Sequence, residues 1–350
     1  MLGTALAIAL VFPLHGPGGV FGPSCELCAQ LAVDELNTAG GVLGRELTLV
    51  PVDGGGAPAG VAAEVGALVS TGAVSAVIGW HTSAVRQELV RSIAGRVPYV
   101  YTALYEGGER APGVFVTGET PSAQLFPGMS LFARELGARR WFVVGNDYVW
   151  PRQTARQARS YVRALGGRID GERYVPLDTE DFGPVLREIA RHEPDAVLML
   201  LVGNDAVRFN RAFAASGLDR ECRRLTTLMD ENMLLATGVS GTRRLFAASG
   251  YFETLVTAEN LEFAGRYARR FGVTAPAVGN LGESCYEGVR LLAALLTRAG
   301  SAEVGAVAAI ADEVCYEGPR GRLRLRDGHV SQRIYLAEAD ALEFSVVTQL

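Results

Sequence analysis

Apolar and polar positions alternate in blocks along the whole chain. Residues 5–12 are a continuous apolar run, the pattern of a strand buried on both faces of a parallel sheet. A Gly/Pro loop over 15–24 follows, then an amphipathic helix to Asn37 that Gly40-Gly41 ends. The pattern then predicts a strand over 46–52, a helix over 58–70, a strand over 74–79, a helix over 82–94 and a strand over 98–102. The same order restarts with a helix over 124–136, a strand over 141–145, a helix over 151–165 and a strand over 168–175. A helix over 182–191, a strand over 196–201, a helix over 205–216 and strands over 224–228 and 245–251 continue it. Two strongly amphipathic helices, 260–271 and 281–299, come next, and from Gly321 the chain alternates like β around an Asp327-Gly328 turn.

Strand–helix alternation of this kind predicts the α/β class, with parallel sheets covered by helices on both faces. A chain of 350 residues exceeds one ordinary core, so two doubly wound lobes are expected with a ligand cleft between them. The helices after 251 have no sheet of their own and are assigned back to the first lobe. The expected lobes are 1–121 plus 252–322, and 122–251 plus 323–350. Such wiring suits hinge closure on a ligand.

Composition narrows the function. Hydrophobic residues make up 49% and charged residues 20%, which predicts a globular fold. Net charge is −5, and the 33 basic residues, all arginine, are spread over many helices. No basic face for nucleic acid is therefore expected. No run of about 18 apolar residues predicts insertion in a membrane. Residues 1–14 are apolar without a basic start, and 4–13 read as the first strand. The expected location is cytoplasmic as the chain is written, or extracytoplasmic if a signal has been trimmed. Cys25 and Cys28 have a redox or metal spacing, but they fall inside an amphipathic helix where cysteine acts as a small apolar residue.

No Gly-x-Ser-x-Gly elbow, His-Glu-x-x-His or Walker loop is present, and the four histidines are scattered. The Gly16–Gly22 loop is a poor dinucleotide match, because its glycine spacing is wrong and a proline interrupts it. No catalytic residue, metal ligand or cofactor is predicted. The polar turns after successive strands are more coherent. They are Gly79-Trp80-His81-Thr82-Ser83, Tyr101–Gly107, Asn146–Trp150, Gly203-Asn204-Asp205 and Met229–Asn232. Strand carboxyl ends are where open α/β sheets bind ligands. Ser83 opens a helix whose amides suit a carbonyl or carboxylate oxygen. Each turn also has a plain structural reading: Ser83 as a helix cap, Trp80 as a cap on the core, Glu231 as a helix start.

The chain resembles the type I periplasmic-binding-protein superfamily, which includes branched-chain amino-acid binding proteins. Within it the chain is most similar to the urea and short-chain-amide branch. The residues that carry the resemblance are Leu36–Arg45, Ile78–Ser83, Tyr105-Glu106-Gly107, Gly145–Arg152, Val202-Gly203 and Gly318–Gly321 with His329. The resemblance implies that Ser83 bonds a ligand carbonyl and that Tyr101, Ala103 and Tyr105 line the first-lobe wall. It implies that Tyr148, with Trp150, covers the ligand from the second lobe. Val202, Asp230 and Glu231 would form the far wall, where a ligand N–H or ammonium finds its acceptor. Thr102, Leu104 and His81 depart from the amide pattern, so the ligand need not be urea or acetamide.

The function expected is that of a non-catalytic binding protein for urea, a short amide or an amino-acid-like molecule, serving an ABC permease. The alternative is a cytosolic amide sensor that acts on a regulator protein. A Rossmann-type enzyme is the third reading, and no group is placed to drive turnover.

Overall fold

The structure is a computed structural model that describes residues 5–350. Thr4, with which the first strand was expected to open, lies outside the described residues, as do positions 1–3. The chain begins β1 (Leu6–Phe12), α1 (Gly22–Thr38), β2 (Leu47–Asp53), α2 (Pro58–Ser70), β3 (Ala76–Gly79), α3 (Ser83–Ile93), β4 (Tyr99–Tyr101) and β5 (Val114–Val116). It continues through α4 (Pro121–Glu135), β6 (Arg140–Asn146), α5 (Val149–Ala164), β7 (Arg168–Val175), α6 (Gly183–His192) and β8 (Ala196–Leu200). Next come α7 (Asn204–Ala215), β9 (Arg223–Thr226), α8 (Glu231–Thr237) and β10 (Leu245–Ser249). The last third holds α9 (Ala258–Phe271), α10 (Asn280–Ala299), α11 (Val304–Ile310), β11 (Cys315–Gly318), β12 (Gly321–Arg326) and β13 (His329–Ser331). It ends on β14 (Tyr335–Asp340) and β15 (Glu343–Gln349).

Two compact units result. The first comprises residues up to 103, 108–118 and 256–332; the second comprises 104–107, 119–255 and 333–350. The change of unit expected at 323 falls instead between 332 and 333. The reason is register: β12 and β13 form the hairpin around Asp327-Gly328, and β13 runs parallel to β5 with His329 opposite Val116. Residues 252–255, expected in the first lobe, belong to the second unit.

The first unit's sheet has the order β11-β12-β13-β5-β4-β3-β1-β2, and the second unit's has β15-β14-β10-β9-β8-β6-β7. Both therefore contain the same parallel core, in which the second strand lies to one side of the first and the rest to the other. The strand order reverses between β1 and β3 in one unit and between β6 and β8 in the other. At such a switch point the loops leave in opposite directions and open a crevice at the strand carboxyl ends.

Local sequence explains these elements. β1, β3 and β8 are apolar and buried almost throughout, as central strands must be. Cys25 and Cys28 lie fully buried in α1, as the apolar reading requires. α4 starts at Pro121, earlier than its periodicity predicts, because a proline without an N–H fits a first helical turn. Gly79 ends β3 at φ +136°, and a Cβ there would meet the Val11 carbonyl oxygen at 2.0 Å. Only glycine lets β1 and β3 approach so closely at the switch point. Among the described residues no single helix is long and apolar enough to cross a membrane.

Candidate functional site

In the first unit, the turn after β3 is held by a buried polar cluster. His81 is 1% exposed. Its Nδ1 faces the Thr82 carbonyl at 3.3 Å and its Nε2 faces the Tyr99 hydroxyl at 2.8 Å. A carbonyl only accepts, so Nδ1 carries the proton and Tyr99 donates to Nε2. Burial, with the Arg86 charge adding to it, lowers the His81 pKa to about 3, so the ring is neutral. Tyr101 donates its hydroxyl to the His81 carbonyl at 2.8 Å. Arg86 lies over the Tyr101 ring at 5.6 Å and is ion-paired with Glu109. His81 thus commits both ring nitrogens to residues of its own unit and offers a ligand only its ring.

Ser83 is the first residue of α3 and is 1% exposed, and Thr82 caps the helix by accepting the Val85 N–H at 3.4 Å. Trp80 is 3% exposed and meets Phe21 edge to face at 5.0 Å. Ala103 is buried just beyond β4. Tyr105, expected on the first-lobe wall, belongs to the second unit. Its N–H donates to the Glu119 carbonyl at 3.0 Å, and Gln157 donates to the neighbouring Glu106 carbonyl at 2.9 Å. Those two bonds tie residues 104–107 to the second unit. Asp53, the acidic residue ending β2, accepts from Leu14 and Gly55 N–H and pairs with His15, so it is occupied within its own turn.

In the second unit, Tyr148 precedes α5 with extended backbone and is half-buried, and its ring lies 6.2 Å from that of Trp150. Trp150 is 2% exposed. A network joins the carboxyl ends of β6 and β8. Asn146 accepts the Val202 N–H at 2.8 Å and donates to Asp205 at 2.6 Å, and Asp205 also accepts the Asp178 N–H at 3.0 Å. Val202 is therefore positioned through its backbone by Asn146. Asn146 and Asp205 lie in turns that the sequence singles out, but neither was given a role there.

Asp230 and Glu231 follow β9 and are 2% and 4% exposed. Asp230 Oδ1 caps α8 by accepting the Met233 N–H at 3.1 Å, and Glu231 Oε1 accepts the Glu253 N–H at 2.8 Å. Asp230 Oδ2 and Glu231 Oε2 are buried and find no hydrogen-bond partner among the described residues. Burial raises the Asp230 pKa to about 6. Burial, then the neighbouring Asp230 charge, pushes Glu231 well up. Glu119 repeats the arrangement: Oε1 accepts the Gly250 N–H at 2.7 Å while Oε2 is buried and unpartnered. Among the described residues no group of three or more His, Cys, Asp or Glu is placed to hold a metal ion.

Two doubly wound units with polar side chains gathered at their strand carboxyl ends define a ligand-binding α/β architecture. Residues 5–343 match the family described as periplasmic binding protein, and the chain belongs to that family. It is 42% identical over 53 residues to the Leu/Ile/Val-binding protein BraC3 of Rhizobium johnstonii, a match spanning 15% of this chain and 14% of that relative. Its fold is similar to a solute binding protein of an ABC transporter from Rhodopseudomonas palustris HaA2 in complex with p-hydroxybenzoic acid. That match has a TM-score of 0.89 and 19% identity, covering 99% of this chain and 97% of the other. It is also similar to the branched-chain amino acid transporter substrate binding protein LivJ from Streptococcus pneumoniae in complex with isoleucine. There the TM-score is 0.86 with 20% identity, covering 99% and 98%.

Proposed function

We propose that the chain is the solute-binding component of an ABC importer, working outside the cytoplasm, and that it binds a small ligand bearing an N–H or ammonium group. The observation that carries this reading is the pair of spare carboxylate oxygens on Asp230 and Glu231. A buried carboxylate without a donor costs free energy, and a ligand ammonium or amide N–H supplies the donor. An aromatic acid with no amine brings no N–H to the spare oxygens and adds a negative charge beside two buried acids, so the pair favours amino-acid-like ligands over benzoates. The relatives named above carry isoleucine and a hydroxybenzoate, and the narrower urea and short-amide expectation draws no support from them. Ser83, with the first amides of α3, is the proposed seat for the ligand's carbonyl or carboxylate oxygen. Tyr101 and Ala103 from the first unit, and Tyr105, Tyr148, Trp150 and Val202 from the second, are the proposed walls, with His81 behind the turn.

The test is calorimetric titration of the wild-type chain with L-isoleucine, L-leucine, acetamide, urea and benzoate near pH 7.5. Amino acids are expected to bind and benzoate is not. Tight benzoate binding with no response to any amine-bearing or amide compound would overturn the reading.

A further inference from the structure

Around the β3 turn the named polar groups have partners: both His81 ring nitrogens, the Tyr99 and Tyr101 hydroxyls and the Thr82 hydroxyl are all hydrogen-bonded within the first unit. Trp80 differs from them. Its ring is 3% exposed, and its indole Nε1 is buried with no acceptor among the described residues. Buried indole N–H groups almost always find a partner, because leaving one unmade costs roughly 1–3 kcal/mol.

The ring is also fixed in place. Phe21 packs edge to face against it, and the 3-10 turn Pro17–Phe21 lies on its benzenoid end. A Cβ on Gly18 would come within 2.9 Å of Trp80 Cη2 and 3.1 Å of Pro13. With that end held by the β1 loop, the pyrrole edge that carries the N–H is at the opposite end of the ring. Trp80 directly follows Gly79 at the carboxyl end of β3, so it stands at the point where the first sheet's strand order reverses. Ligands of open α/β sheets bind at such a point.

We infer that the Trp80 indole N–H is a ligand-binding donor, acting beside Ser83 on an acceptor oxygen of the ligand, either a carboxylate or an amide carbonyl. The inference rests on the solute-binding reading and adds to it a donor that selects for an oxygen acceptor. Gly18 and Phe21 hold the indole in the orientation this requires.

The test uses the full chain labelled with 15N at tryptophan, which gives three indole signals, from Trp80, Trp141 and Trp150. Trp80→Phe identifies the Trp80 signal by its loss. The probes are L-isoleucine, L-isoleucinamide and 2-methylbutylamine, the last lacking the oxygen acceptor. Both oxygen-bearing probes are expected to shift the Trp80 indole proton downfield, and 2-methylbutylamine is not. Trp80→Phe is expected to weaken L-isoleucine about tenfold or more, the loss of one hydrogen bond to a charged group, and to leave 2-methylbutylamine unchanged. If L-isoleucine binds the wild type and the Trp80 signal stays still, the donor serves something other than the ligand and the inference is overturned. This holds even where Trp80→Phe does not fold, since the signal is read on the wild type and can be assigned by elimination with Trp141→Phe and Trp150→Phe. If none of the probes binds the wild type, the solute-binding reading fails and the inference falls with it.

Discussion

Asp230 is a carboxyl group that the fold keeps dry, and its protonation sets what it contributes to stability. Below pH about 3 it is protonated in the folded and unfolded chain alike and costs nothing. As pH rises toward 6, the unfolded chain releases the proton from a carboxyl whose ordinary pKa is 3.8, while the folded chain keeps it up to about 6. Its contribution therefore turns destabilising with rising pH, by roughly 3 kcal/mol once both states are ionised. Asp230→Asn keeps a helix-capping oxygen and removes the charge. Denaturant melts should show it equal to wild type near pH 3 and more stable near pH 7.5; a difference that does not grow with pH would refute the assignment. The same variant should bind L-isoleucine at least tenfold more weakly at pH 7.5. Tyr148→Ala should weaken binding while shifting stability by less than about 1 kcal/mol, because its half-buried ring lies outside the core. At this scale the position of Ser83, Asp230 and Glu231 past the ends of β3 and β9 was legible, since a polar residue after an apolar strand marks a carboxyl end. The neutral state of His81 was not. It is set by burial and then by the Arg86 charge, and the ring is held by Tyr99, which stands on the next strand of the sheet, where no local pattern joins the two.

Elements position these residues through their ends. Asn146 joins β6 to the region after β8 with two bonds, to the Val202 N–H and Asp205, and to the turn after β7 with a third, to the Pro176 carbonyl. Asn146→Ala leaves buried groups unpaired and should cost roughly 2–3 kcal/mol, measured by denaturant unfolding, and it should weaken ligand binding as the Val202 turn loosens. An unchanged unfolding midpoint would show that the network does not hold that turn. Gly79→Ala should destabilise more, by about 3 kcal/mol or above, because both its φ and its contact with Val11 exclude a Cβ. Long periodic helices such as α2 and α10 and apolar strands such as β8 were readable from spacing alone. β5, α8, α11 and β11 were not. Each spans only three to seven residues, too short for a period to declare itself. β5 is a strand because β4 and β13 pair with it on either side.

At the scale of the whole molecule, the two units repeat one strand order and differ in how antiparallel strands extend it. The repeated βα grammar made the two-unit α/β fold legible. The helices α9 and α10, which had no strands of their own to cover in the sequence, fall in the first unit. The residues at which the chain changes unit were less legible. Alternation at Leu323-Arg324-Leu325 announces a strand but not its partner, and the pairing of β13 with β5 decides where it belongs. Tyr105 shows the same gap, since two backbone-accepted bonds settle its unit. If the proposed function holds, binding stabilises the folded chain in proportion to the logarithm of ligand concentration over its dissociation constant. The most direct measurement is thermal unfolding of the wild type near pH 7.5 with L-isoleucine and, separately, with 3-methylpentanoate, which has the same carbon skeleton without the amine. L-Isoleucine at about 100 times its dissociation constant should add roughly 2.7 kcal/mol to the stability of the folded state, and 3-methylpentanoate should add nothing. Equal stabilisation by both, or stabilisation by the amine-free acid alone, would contradict the role of Asp230 and Glu231 as the seat of a ligand amine.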